Sequence, residues 1–298
     1  MSPWPKIARL ITIASLGING VLCGPAALAG PPFQTDDPEP VDYHHFEMYA
    51  FTLVDSTGKN AGGTVLSAPA YEVNYGAAPN LQLHLVVPMT TVFQPMDGPT
   101  TFGISDTELG FKYRFIPETK HVPQIGIFPF FEFPSGDADK GLGVGKTWYR
   151  MPVWLQKSWG PEEHKWTTYG GAGYTVVLQD GYTNFPFAGW LIQRDLSKKL
   201  MLGTELFGHG AEGEAATSAR SSTLLDLGGT YEFKEGFDLL FCGGRAIHGQ
   251  PETYAYLALY WTWGPHGADS GEGGKNAATD NQSSNSRLFS ALRLFQAH

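Results

Sequence analysis

Twelve stretches between residues 44 and 263 alternate apolar with polar or small residues, one about every 18 residues. They begin near His45, Gly63, Leu81, Phe102, Val122, Thr147, His164, Asn184, Leu200, Ser221, Phe237 and Thr253. Successive side chains of a strand point to opposite faces, so alternation with period two commits each stretch to a two-faced strand. Clusters of Gly, Pro, Asn and Asp separate the runs and read as turns. An all-β chain of this kind closes either as a sandwich or as a barrel.

Three runs alternate most cleanly. In one, Thr107, Leu109, Phe111, Tyr113 and Phe115 oppose Asp106, Glu108, Gly110, Lys112 and Arg114. In another, Leu81, Leu83, Leu85, Val87 and Met89 oppose Gln82, His84, Val86, Pro88 and Thr90. In the last, Ala255, Leu257, Leu259, Trp261 and Trp263 oppose Tyr254, Tyr256, Ala258, Tyr260 and Thr262. The eighth and ninth runs alternate poorly and do not fix their own parity.

Run length decides between the two closures. Runs of 8–15 residues suit strands that cross a bilayer at a tilt, which takes about 9–11 residues, whereas ordinary strands are nearer 5–6. Tyr75, Phe115, Phe133, Trp159, Phe233, Trp261 and Trp263 fall near strand ends, as in interfacial girdles. The connections Asp55–Gly62, Pro95–Thr101, Pro134–Lys146, Gln179–Thr183, Gly208–Arg220 and His248–Glu252 read as outward loops. Gly76–Asn80, Ile116–His121, Ser158–Glu163, Asp195–Lys199 and Lys234–Gly236 read as inward turns, and four of the six outward loops exceed every one of them. The fold expected is an antiparallel transmembrane β-barrel of about 12 strands over residues 44–263.

Composition agrees. Only 16% of residues are charged, against about 25% in soluble domains, because half of each strand faces hydrocarbon. The mean hydropathy of −0.18 excludes a polytopic helical protein, which needs apolar runs of about 20 residues. The 37 glycines follow no G-X-Y period.

Residues 1–29 read as an export signal: Lys6 and Arg9, then an apolar stretch from Leu10 to Leu22, then Ala27-Leu28-Ala29 before Gly30. Cys23 follows Leu22, which disfavours lipidation. Cleavage removes two bases and no acids, leaving 18 basic and 29 acidic side chains and a net charge of −11. That balance argues against nucleic acid as a partner; outer-membrane lipid is the partner expected from the barrel itself. Cys242 would be the only remaining cysteine, so no internal disulfide forms and a buried thiol is expected. Residues 30–43 are expected as a periplasmic segment, and residues 264–298 as a flexible tail whose Leu288, Leu292 and Phe295 share one face of a short amphipathic helix.

Several motifs suggest chemistry and fail on spacing. Gly141-Leu-Gly-Val-Gly-Lys-Thr147 resembles a phosphate-binding loop, but Lys140 stands where the first glycine belongs and a strand follows instead of a helix. Asp36, Asp37, Glu39, His44 and His45 match no metal-ligand template, and Asp137 and Asp139 read as solvated loop charges. Barrel phospholipases pair a His with a Ser two residues on; the closest approach here, His209-Gly-Ala, lacks the nucleophile. No catalytic residues, metal ligands or cofactors are assigned, and the chain is not expected to be an enzyme.

The charges on the polar parity are the candidate lumen-lining residues: Glu47, Glu72, His84, Asp106, Glu108, Lys112, Arg114, Glu132, Arg150, Arg194, Asp226, Glu232 and Arg245. Both signs are present, so many must pair across strands. Twelve tilted strands enclose a backbone radius of roughly 12 Å. Opposing side chains close most of that.

The sequence Pro32-Phe-Gln-Thr-Asp-Asp-Pro-Glu-Pro40 after the signal resembles the MetA-pathway phenol-degradation family of outer-membrane proteins. The same resemblance runs through Gly103-Ile-Ser-Asp-Thr-Glu-Leu-Gly-Phe-Lys-Tyr-Arg-Phe115, Pro134-Ser-Gly-Asp137, Gly141-Leu-Gly-Val-Gly145 and Tyr256-Leu-Ala-Leu-Tyr-Trp-Thr-Trp263, spanning residues 32–263. It implies an outer-membrane barrel of a Gram-negative bacterium that passes small aromatic or hydrophobic compounds. It carries no catalytic residues across. Barrel chains commonly end on a terminal aromatic strand, whereas here 35 residues follow Trp263. The alternatives to a channel are a closed structural or adhesive barrel and a lipid-modifying barrel enzyme.

Overall fold

The computed structural model describes residues 32–58, 63–93, 99–215 and 219–265. The export signal with its cleavage site, Cys23 and the tail from residue 266 lie outside these residues. The strands are β1 (Phe46–Gly58), β2 (Gly63–Ala78), β3 (Leu81–Phe93), β4 (Thr101–Ile104), β5 (Thr107–Ile116), β6 (Gln124–Ile127) and β7 (Phe130–Phe133). They continue as β8 (Trp148–Trp159), β9 (Trp166–Val177), β10 (Phe185–Ser197), β11 (Leu200–Glu212), β12 (Arg220–Lys234), β13 (Phe237–Gly249) and β14 (Thr253–Trp263). Every pairing between these strands is antiparallel; β1 closes on β14 from Phe46↔Trp263 to Ser56↔Thr253.

The fourteen segments make a closed barrel of twelve staves. β4 and β5 form one stave, both pairing with β3, and β6 and β7 form another, both pairing with β8. The second stave breaks at Phe128-Pro129, where proline offers no N–H to the ladder. There Phe111 donates its N–H to the Pro129 carbonyl at 3.1 Å. The first breaks at Ser105-Asp106, where Asp106 turns its carboxylate to the loop after β7. Its two oxygens accept the backbone N–H groups of Gly136 at 2.9 Å and Val144 at 2.6 Å.

That loop holds the glycine-rich motif. Leu142, Gly143 and Val144 are buried, so the segment is an inward-packed clasp on Asp106 and not the plain surface loop its composition suggests. Gly143 has φ +127°, and a Cβ there would stand 2.3 Å from an Asp106 oxygen.

The outer face is apolar. Leu83, Leu85, Leu109, Phe111, Tyr113, Leu257 and Leu259 are exposed, in the parity the alternation assigns them. Aromatic rings gather at the short-turn end: Phe46 stacks on Trp263 and tilts against Tyr75, and Phe237 bridges Phe233 and Trp261. This is the ring arrangement of an interfacial girdle.

Residues 32–41 run inside the barrel, where sequence had placed them in a periplasmic lead-in. At the short-turn end the chain is anchored by His44 N–H to the Gly76 carbonyl at 2.8 Å and Gly76 N–H to the His45 carbonyl at 3.0 Å. From there it enters the lumen, and Phe33, Thr35 and Asp36 are at most 1% exposed. Phe33 belongs to an apolar cluster with Leu191, Leu224, Leu240, Cys242 and Tyr254. Burying such a ring contributes about 1.5–3 kcal/mol. The inner face is therefore not uniformly polar: Tyr49, Phe51 and Leu53 of β1 also point inward, and they pack in the Phe33 cluster.

Candidate functional site in the barrel lumen

Strand parity sets which charges share the lumen, and register sets which of them meet. Glu72, His84, Asp106, Glu108, Lys112, Glu132, Arg150 and Asp226 are buried on the inner face. Glu47, Arg114 and Glu232 lie on the same face, half-buried.

Arg194 and Arg245 are corrections: both are exposed on the outer face. Arg194 pairs in register with Trp166, and its guanidinium sits 5.1 Å over that ring. The inward positions of β10 are Phe185, Phe187, Gly189 and Leu191, which the weak alternation of that run did not disclose. Arg245 is turned out because its neighbour Gly244 faces Asp226. A Cβ at 244 would stand 1.8 Å from an Asp226 oxygen, so only glycine fits the inner position.

The inner charges form separate groups. His84 bridges two strands, with Nε2 2.6 Å from Glu108 Oε1 and Nδ1 2.8 Å from the Asn74 side-chain oxygen. Glu72 joins through Asn74 Nδ2 at 2.8 Å, and the Phe128 ring stands edge-on to the imidazole. Near the long-loop end, Glu132 accepts the Trp148 indole N–H at 3.0 Å. Arg150 donates Nε to Thr175 at 3.1 Å, with its guanidinium over Trp148 and Phe187. Trp154, Phe187 and Phe207 extend this aromatic group across the lumen.

The N-terminal segment binds a further set of inner charges. Lys112 donates to Asp36 at 2.9 Å and to Asp37 at 3.4 Å. Arg114 pairs with Glu39 and reaches the Asn80 side-chain oxygen at 3.1 Å. The Gln34 N–H donates to Glu205 at 3.0 Å, and the Thr35 N–H to the other oxygen of the same carboxylate. The Gln34 side chain reaches Asp226 at 3.4 Å. Val41 N–H is held by the Gln82 side-chain oxygen at 3.0 Å.

Glu205 escaped the sequence reading because its run alternates poorly. Its position between Gly203 and Phe207, both inward, is the signal that was there to read. The segment's role was hidden for another reason: its acids have the look of an exposed turn, and their cations lie 75 and 76 residues away.

Among the described residues no group of three or more His, Cys, Asp or Glu could hold a metal ion. Asp137 in the outward loop pairs with Lys140 at 2.6 Å, which holds its carboxyl below the usual range. Cys242 is free and buried.

A closed antiparallel barrel with an apolar, aromatic-rimmed outside and charges within is an outer-membrane-type β-barrel. The family model described as "Putative MetA-pathway of phenol degradation" matches residues 45–262, and the chain belongs to that family. Among solved structures, the COG4313 outer membrane channel from Pseudomonas putida F1 is similar at a TM-score of 0.61 and 14% identity, covering 76% of this chain and 98% of that one. The translocator domain of the autotransporter NalP from Neisseria meningitidis gives a TM-score of 0.46 at 12% identity, over 72% of this chain and 88% of that one. The KdgM porin gives 0.46 at 12% identity, over 73% and 99%. No curated protein matches the chain.

Proposed function

We propose that the protein is an outer-membrane channel for small molecules, among them aromatic or hydrophobic ones, and not an enzyme. The observation that carries this reading is what fills the lumen. Beside the side-chain clusters of the wall lies a ten-residue stretch of irregular chain, residues 32–41, held by ion pairs, hydrogen bonds and the packing of Phe33. A segment fixed by such contacts has a second arrangement open to it that a covalently continuous wall lacks. Behind it the wall offers paired charges, amide side chains and the ring cluster around Trp154 and Phe187. That mixture suits solutes with one polar and one apolar end.

The reading is supported by membership in a family of outer-membrane barrels and by the fold shared with a channel. Passage is tested by liposome swelling and planar-bilayer conductance with purified protein. Permeation of small solutes such as benzyl alcohol or arabinose is expected. Its complete absence would overturn the proposal. A closed structural barrel is the second reading, favoured by the complete burial of Phe33 and Thr35, and the same measurement separates the two.

A further inference from the structure

We propose that Lys112 and Arg114 form a carboxylate-binding site of the lumen, which the chain's own Asp36, Asp37 and Glu39 occupy in place of a small organic anion. This rests on the channel reading and adds to it a solute class and a means of release. The two cations stand two residues apart on the inner face of β5, about 7 Å between backbone positions. Both side chains are largely buried, at 7% and 13% exposure.

Their partners are unusual for a barrel wall. His84, the neighbouring inner base, is paired with wall carboxylates, Glu72 and Glu108. Among the described residues, neither Lys112 nor Arg114 has an ion pair with a carboxylate of the wall; every acid they hold comes from the N-terminal segment. Glu47, a wall acid on the same inner face, is engaged by the hydroxyls of Tyr260 at 2.7 Å and Tyr49 at 3.3 Å. Removing one partner of a buried pair strands the other charge at high cost. Departure of the segment from this wall is therefore costly unless another anion takes its place.

A carboxylate is the replacement the geometry fits. Arg114 offers a planar donor fork suited to a carboxylate, and its remaining contacts are the neutral oxygens of Asn80 and Gln124. Lys112 Nζ also lies 5.3 Å over the Phe128 ring, so an aromatic surface borders the cation. An aryl carboxylate finds both its charge and its ring matched here.

The test uses full-length protein with benzoate and its neutral isostere benzamide as probes. Equilibrium dialysis of the detergent-solubilised barrel reads binding, and planar-bilayer recording reads conductance. Benzoate is expected to bind and to raise wild-type conductance at least threefold, with benzamide inert. Asp36→Asn/Asp37→Asn/Glu39→Gln should conduct without benzoate and bind it at least tenfold more tightly, because the internal competitor is neutralised. Lys112→Gln/Arg114→Gln should lose benzoate binding. If that variant fails to assemble, the fivefold variant removes both signs together and should lose binding equally. Equal binding of benzoate and benzamide, or benzoate binding that survives loss of both cations, would overturn the assignment. Charge-dependent binding without conductance in any variant would uphold the site and overturn the channel.

Discussion

Thr35 occupies the space that a side chain on Gly189 would need: a Cβ at residue 189 would lie 1.9 Å from Thr35 Oγ1. The wall of β10 is thus hollowed at one residue to receive the N-terminal segment, and glycine is the only residue that leaves the hollow. Gly189→Ala is expected to unseat the segment; its Cβ would also stand 2.8 Å from the Phe207 ring, which must turn slightly aside. Endoproteinase Asp-N, which cleaves on the N-terminal side of Asp36 and Asp37, reads this directly. Wild-type protein should resist cleavage there, Gly189→Ala should be cut, and Gly189→Ala/Thr35→Gly should regain resistance. Full resistance in the single variant would contradict the fit.

Glu108→Gln tests the wall's internal charge pairing. It leaves His84 with a neutral amide in place of the carboxylate at 2.6 Å. Loss of one partner from a buried pair costs about 3–5 kcal/mol. The temperature at which the folded, fast-migrating gel band converts to the slow one should fall by several degrees. Glu232→Gln, at a half-buried inner position near a turn, should shift it little. Equal shifts would mean the His84 pairing is not what steadies the wall.

Asp106→Ala removes the acceptor for two backbone N–H groups of the loop between β7 and β8. Each hydrogen bond to a charged group contributes about 1.5–3 kcal/mol. The loop should loosen locally, and trypsin should cut at Lys140 and Lys146 at least tenfold faster than in the wild type. Unchanged digestion would show that the apolar contacts of Leu142 hold the clasp without the carboxylate.

Arg194→Gln and Arg245→Gln should leave ion selectivity unaltered, because both side chains sit on the outer face. Arg150→Gln, buried within the lumen, should shift the reversal potential toward cations in a salt gradient. A selectivity change in either outer variant would return that residue to the conduction path.

Alternation made most of the wall legible because a strand's faces are a property of each residue and its next neighbour but one. The run from Asp106 to Phe115 reads correctly residue by residue for that reason. Where bulky apolar residues face both ways, as at Phe187 and Trp190 in β10, sequence holds no preference and Arg194 is assigned inward. Arg245 fails through register: the glycine that must face Asp226 is chosen by a carboxylate 18 residues earlier. The N-terminal segment has no periodicity, and its acids are defined by cations that only the closed barrel brings to them. Pairings at such separation leave no trace in local pattern.

The cavity that receives Phe33 is built from both ends of the strand sequence, with Tyr49, Phe51 and Leu53 of β1 beside Leu224, Leu240 and Tyr254 of β12, β13 and β14. It does not exist until β14 pairs with β1. Residues 32–41 precede every strand, yet their docking surface is the last to be completed during assembly. Ring closure over so long a separation is the slow, entropically costly step. Insertion of the segment is therefore an internal report that the barrel has closed, and protection of Asp36 from Asp-N cleavage would date that event in a refolding reaction.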